Sequence, residues 1–243
     1  MATLNVLFPL TFLSFIALER LTPGRPQPRI RGWLARGLVF FALGGAVNVA
    51  VPIAVSALLG GRGLLCLGGL PLALCALIAF VVGDLVGYWR HRLMHRQPLL
   101  WRLHQLHHSA ERVDIAGSAY SHPLDLAINA ALGVSVSVAL GISPLAAGVA
   151  SYASFAIGTF VHLPIATPRW LGHVINRPES HALHHARGVH AHNYGMLSLW
   201  DRLFGTFENP AEFASRAGFW DGASQETGAL LLGRDVTRRT ARP

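Results

Sequence analysis

Eight histidines of this chain fall into three tight groups: His91 and His95 as an HxxxH, His104, His107 and His108 as an HxxHH, and His181, His184 and His185 as a second HxxHH. Spacings of three and four put side chains on one face of a helix, so each group is expected to aim two or three imidazoles at one point. Neutral imidazole is the commonest protein metal ligand. A structural zinc site closes with four ligands, so eight converging histidines are too many for one ion and suit two. Three repeats of the same grammar argue against scattered surface or capping histidines. The pattern predicts a metal centre.

The elements that carry these groups are predicted to be membrane helices. Among 243 residues, 52 % are hydrophobic and only 13 % charged, with a mean hydropathy of +0.41, far from a soluble domain. Leu4 to Leu18 is apolar but short for a span of about 20 residues; lacking a basic start and a small-residue cleavage site, it reads as a membrane helix, not a signal peptide. Residues 19–36 form a loop carrying Arg20, Arg25, Arg29, Arg31 and Arg36. Gly37 to Gly61 and Gly63 to Gly83 are charge-free, and the turn Gly60-Gly61-Arg62-Gly63 predicts that they fold as an antiparallel hairpin. From Leu126 to Pro168 there is again no Asp, Glu, Arg or Lys, enough for two spans folded at Gly141-Ile142-Ser143-Pro144. The expectation is an all-α polytopic helix bundle of four to five spans.

All 20 basic residues are arginine. Because they border apolar runs, anionic lipid headgroups are the expected partner and nucleic acid is not. Five arginines lie in 19–36 and five more (Arg90, Arg92, Arg96, Arg102, Arg112) flank the first two histidine groups, while the opposite turns hold only Arg62. The positive-inside rule then predicts that both histidine regions face the cytoplasm as one cap. Cys66 and Cys75 show no CxxC spacing and read as packing residues.

Asp84, Tyr88, His91 and His95 fall in one stripe of the third span. A buried aspartate there is costly and usually paired; its expected role is to orient a ligating imidazole through that ring's other nitrogen, against the plainer role of pairing with Arg90 or Arg92. Pro98 ends this helix and opens the next.

These residues resemble the fatty acid hydroxylase/sterol desaturase superfamily of integral-membrane histidine-box oxygenases. The resemblance runs through Asp84-Leu-Val-Gly-Tyr88-Trp-Arg-His91-Arg-Leu-Met-His95, Trp101-Arg-Leu-His104-Gln-Leu-His107-His108-Ser109, Ser121-His122-Pro123-Leu124 and Phe160-Val161-His162. It continues through His181-Ala-Leu-His184-His185, Asn193-Tyr194-Gly195 and Leu199-Trp200-Asp201-Arg202-Leu203-Phe204-Gly205-Thr206, covering about 80–207 of a single domain over 1–243. It implies two irons bound by the histidines of the three boxes, with His162 as a ninth ligand between boxes. Fatty-acid 2-hydroxylase members carry a further histidine where this chain has Ala166, a departure from that subgroup. The length leaves no room for a fused cytochrome b5 domain, so the electron donor is expected to be a separate cytochrome b5 or ferredoxin docking on Arg90, Arg92, Arg96 and Arg102, unless these arginines serve only as lipid anchors.

Of the other histidines, His122 reads equally as a family position or an interfacial residue, His190 and His192 as hydrogen-bonding partners or further ligands, and His173 as surface. Asp201 reads as part of a turn-and-packing motif. Imidazole suits zinc, copper, iron and nickel, but there is no HExxH for zinc hydrolysis and no GxSxG nucleophile. The expected function is O2-dependent di-iron hydroxylation of a membrane lipid, an acyl chain or sterol-like molecule. A lipid or sterol desaturase is the neighbouring alternative, and a membrane transition-metal transporter or sensor the alternative of another class.

Overall fold

The computed structural model describes residues 2–60 and 63–238 and is all-helical: among these residues there are ten α-helices and no strand beyond two isolated bridges. The long helices are α1 (Ala2–Leu21), α2 (Trp33–Leu59), α3 (Leu72–Arg96), α6 (Pro123–Leu140) and α7 (Pro144–Phe160). Four of them, α1, α2, α3 and α6, are long and apolar enough to cross a membrane, and α7 is a shorter apolar helix of 17 residues. Short helices fill the rest: α4 (Pro98–His108), α5 (Ile115–Ala119), α8 (Pro178–His184), α9 (Ser198–Leu203) and α10 (Thr227–Leu231).

Proline and capping side chains set the boundaries. Pro98, Pro123, Pro144 and Pro178 each open a helix at its first turn, where the missing N–H costs nothing. Ser143 caps α7 through the Ala146 N–H at 3.2 Å, and His122 caps α6 through the Leu124 N–H at 3.1 Å. Gly141 ends α6 at φ 64, the left-handed cap that favours glycine.

Neighbours in the bundle are not neighbours in sequence. α2 packs on α6, α6 on α3, α3 on α7 and α7 on α1; short α5 lies under α2, where a Cβ on Gly37 would stand 2.7 Å from that of Ala116. The expected α2–α3 hairpin is therefore corrected. The third helix starts at Leu72 instead of Gly63, and the N–H groups of Leu64 and Leu65 donate to Ala139 O at 2.9 and 2.8 Å. That docking on the end of α6 spreads the connection and lets α6 lie between α2 and α3. Gly61 and Arg62 of the predicted turn are outside the described residues. The second helix also begins four residues earlier than expected, with Trp33 already in its first turn and buried.

All histidine-bearing ends nevertheless meet at one end of the bundle. Gly24, after α1, donates to Pro164 O at 2.7 Å, and Arg36 in α2 reaches Ser224 O at 2.7 Å, so the arginine-rich loop joins the same end.

Candidate metal centre

On a helix, residues i and i+4 stand about 40° apart and residues i+3 and i+4 about 100° apart. The structure uses this difference. His104 and His108, one turn apart in α4, face one point together with His91 and His95 of α3 and His184; His107 points elsewhere, joining His162, His181 and His185. Within each group the nitrogens lie within 4.8 Å of one another. The two HxxHH motifs are thus reciprocal, each giving its i and i+4 imidazoles to one group and its i+3 imidazole to the other. The expectation that each motif aims at a single point is corrected: the nine side chains converge, but as five and four.

Nε2 atoms face each other at 3.0 Å for His91 and His184, 3.2 Å for His104 and His108, 3.3 Å for His107 and His162, 3.0 Å for His162 and His181, and 3.1 Å for His181 and His185. Two imidazoles on one ion at about 2.1 Å would place their nitrogens about 3.0–3.4 Å apart. The tautomers sharpen the point. His91 donates from Nδ1 to Tyr194 O at 2.9 Å, and His184 from Nδ1 to His192 O at 2.7 Å. A carbonyl only accepts, so both Nε2 atoms are bare lone pairs held 3.0 Å apart, an arrangement that is repulsive without a cation between them. His162 Nδ1 likewise donates to Gly158 O at 2.8 Å. His95 Nε2 is buried with no protein partner. Both groups fit a transition-metal ion.

The electrostatics agree. Burial first, then the neighbouring imidazoles, holds His107, His108, His181 and His185 well below the ordinary histidine range. Burial brings His184 down to about 3 and His162 to about 4. These imidazoles are neutral at physiological pH, with lone pairs free for a metal.

Asp84 does not do what its stripe suggested. Its oxygens accept the N–H groups of Met196 and Leu197, each at 2.8 Å, and it pairs with neither an imidazole nor Arg90 or Arg92. It anchors the loop in which Tyr194 O holds His91, acting at one remove. Asp201 secures the same loop through Tyr194 N at 2.8 Å, Gly195 N at 3.0 Å and Thr206 Oγ1 at 2.7 Å, a turn-building role as its motif suggested. The carboxylate that touches a candidate ligand is Asp125, which accepts from His104 Nδ1 at 2.7 Å with one oxygen and pairs with Arg90 through the other. Sequence reasoning missed it. The signal was a lone acid in the first turn of an otherwise charge-free span.

Arg92 is also engaged, donating to Tyr88 Oη at 2.9 Å. Of the four arginines expected to receive a redox partner, only Arg96 and Arg102 are exposed; Arg90 and Arg92 act within the fold. His122 reaches Leu231 O at 3.1 Å and stays outside both groups, and His173 pairs with Arg202. His192 contributes its carbonyl, as described. His190 places Nδ1 3.2 Å from His108 Nδ1.

Comparisons with known proteins add a family to this geometry. The chain is 32 % identical over 145 residues to the ornithine lipid hydroxylase OlsE of Rhizobium tropici, covering 58 % of this chain and 44 % of that protein. It is 31 % identical over 134 residues to the alkylglycerol monooxygenase of Danio rerio (54 % and 30 %) and 27 % identical over 164 residues to the lathosterol oxidase of Homo sapiens (62 % and 52 %). It therefore spans about a third to a half of these relatives' length. No solved structure matches. Residues 76–206 match the fatty acid hydroxylase family, an interval that begins in α3, ends at Thr206 and takes in all nine converging histidines; the chain belongs to that family.

Proposed function

We propose that this protein is an O2-dependent membrane hydroxylase whose substrate is a lipid and whose two histidine groups each hold one iron. The observation that carries this reading is the meeting of the His91 and His184 lone pairs at 3.0 Å, repeated in kind around His162. His91, His95, His104, His108 and His184 would hold one iron and His107, His162, His181 and His185 the other. Bound there, the irons would supply reduction of O2 and oxidation of an unactivated C–H bond. One oxygen atom would enter the C–H bond and the other would leave as water, with two electrons from an external donor protein, delivered one at a time, and two protons from solvent.

The chain's own contribution is orientation and exclusion of water. Asp125 and the carbonyls of Gly158, His192 and Tyr194 keep the protons of His104, His162, His184 and His91 on Nδ1, leaving Nε2 free. All four members of the four-histidine group are buried. The apolar helices below leave the bilayer as the reservoir from which substrate arrives. Ligands at the ends of the spans, not along their middle, favour an oxygenase over a transporter. Arginine bias supports a cytoplasmic site. Cys66, exposed at the opposite end, should then react with a membrane-impermeant thiol reagent only from outside; labelling only from the cytoplasm would reverse this orientation.

The test couples metal to chemistry. Protein purified from iron-replete cells should carry about two irons per chain, and His107→Ala and His184→Ala should lose metal and activity together. Lipid profiling of cells with and without the protein should show a lipid gaining one oxygen, whereas loss of two hydrogens would identify a desaturase. Full activity with zinc alone, or without metal, would sink the oxygenase reading.

A further inference from the structure

We propose that His190 is a positioning residue for the five-histidine group, an inference that rests on the metal-binding reading above. His108 directs Nε2 at the centre, 3.2 Å from His104 Nε2. For that nitrogen to offer a lone pair, the His108 proton must sit on Nδ1, and a buried Nδ1–H needs an acceptor. His91 and His184 find theirs in the carbonyls of Tyr194 and His192, and His104 in Asp125. The group facing His108 Nδ1 is His190 Nδ1, at 3.2 Å. His190 therefore accepts there, with its own proton on Nε2.

The backbone supports this assignment. His190 has φ 43, and His192 and Asn193 have φ 68 and 50, left-handed conformations that a histidine adopts against a steric penalty. The chain holds three such residues in four positions, in the segment whose atoms at 190, 192 and 194 face His108, His184 and His91. The rings of Trp101 and Phe219, at 5.7 and 5.2 Å, pack the His190 imidazole in place. The four-histidine group is supported less completely: among its rings, His162 Nδ1 has the Gly158 carbonyl at 2.8 Å. Its His107 and His185 Nδ1 atoms are buried with no protein partner. The two ions are accordingly held unequally, and His190 acts on one of them.

Three variants separate the acceptor from the backbone. His190→Gly relaxes the left-handed conformation and deletes the acceptor; His190→Asn tolerates that conformation and places Oδ1 where Nδ1 stood; His190→Ala does neither. Metal per chain would be followed by mass spectrometry during titration with a competing chelator, alongside thermal unfolding. The expected result is that His190→Gly and His190→Ala weaken retention of one ion about 10–100-fold and leave the other unchanged, and that His190→Asn restores it. In a His162→Ala background, which disables the four-histidine group, His190→Gly should still weaken the remaining ion. Wild-type retention in His190→Gly, equal loss in His190→Asn, or loss of both ions with a lowered unfolding temperature would each overturn the assignment. Wild-type protein that binds no transition metal would instead overturn the metal-binding reading itself.

Discussion

Asp125→Asn tests the orientation argument at its tightest point. The Asp125 carboxylate is buried and serves two donors, His104 Nδ1 at 2.7 Å and the Arg90 guanidinium. Asparagine keeps the shape but offers one oxygen and one NH2. If the oxygen faces His104, the NH2 opposes the guanidinium, donor against donor, and Arg90 loses its counter-charge. Breaking a buried ion pair costs about 3–5 kcal/mol, less here because the Arg90 side chain is 17 % exposed. If the amide turns, Arg90 keeps an acceptor while the NH2 drives the His104 proton onto Nε2, blocking the lone pair. Loss of an orienting partner lowers metal affinity about 10–100-fold, or about 1.4–2.7 kcal/mol. The second arrangement is cheaper, so the substitution should reduce metal retention more than folding. The assay is metal per chain against a competing chelator, beside thermal unfolding. Adding Arg90→Gln removes the competing cation, frees the asparagine oxygen for His104, and should recover much of the affinity. Unchanged retention with a lowered unfolding temperature would mean that Asp125 serves only to neutralise Arg90, and the orientation argument would fail.

Other expectations follow from the same contacts. Asp84→Asn sets an NH2 against one of two backbone N–H donors and should lower stability by about 1–3 kcal/mol while leaving metal affinity closer to wild type than Asp125→Asn does; the reverse order would restore Asp84 to a direct role at the ligands. In the metal-free protein, buried His162 and His184 sit near 4 and 3, against about 6.5 when unfolded. The unfolded chain then binds more protons below about pH 6.5, so unfolding temperature should fall as pH drops from there towards 4, and a flat profile would contradict the burial. Charge reversal at exposed Arg96 or Arg102 should raise the apparent KM for an acidic electron donor, and turnover should fall as salt rises. A rate indifferent to both would leave these arginines as lipid anchors.

Much was legible in the chain before its fold was known. The three histidine groups, the lengths of the apolar runs and the clustering of arginine at alternate turns are local properties, and together they specified a helical bundle with every histidine group at one end. Local spacing encodes only the angle around a helix axis. It cannot say which of two points an imidazole faces once helices cross, and so the division of each HxxHH between a five-histidine and a four-histidine group appeared only in three dimensions. The same limit explains Asp84 and Asp125. Both are lone acids in apolar helices, but Asp84 is met by the loop at Met196 and Leu197, whereas Asp125 comes within reach of His104 because α6 lies beside α3 and α4. The partners that orient His91 and pair it with His184 lie 103 and 93 residues away along the chain. A backbone carbonyl carries no side-chain identity, so no residue type announces the acceptor role of Tyr194 or His192; only packing of the left-handed segment against α3 and α8 brings those oxygens to the rings they hold.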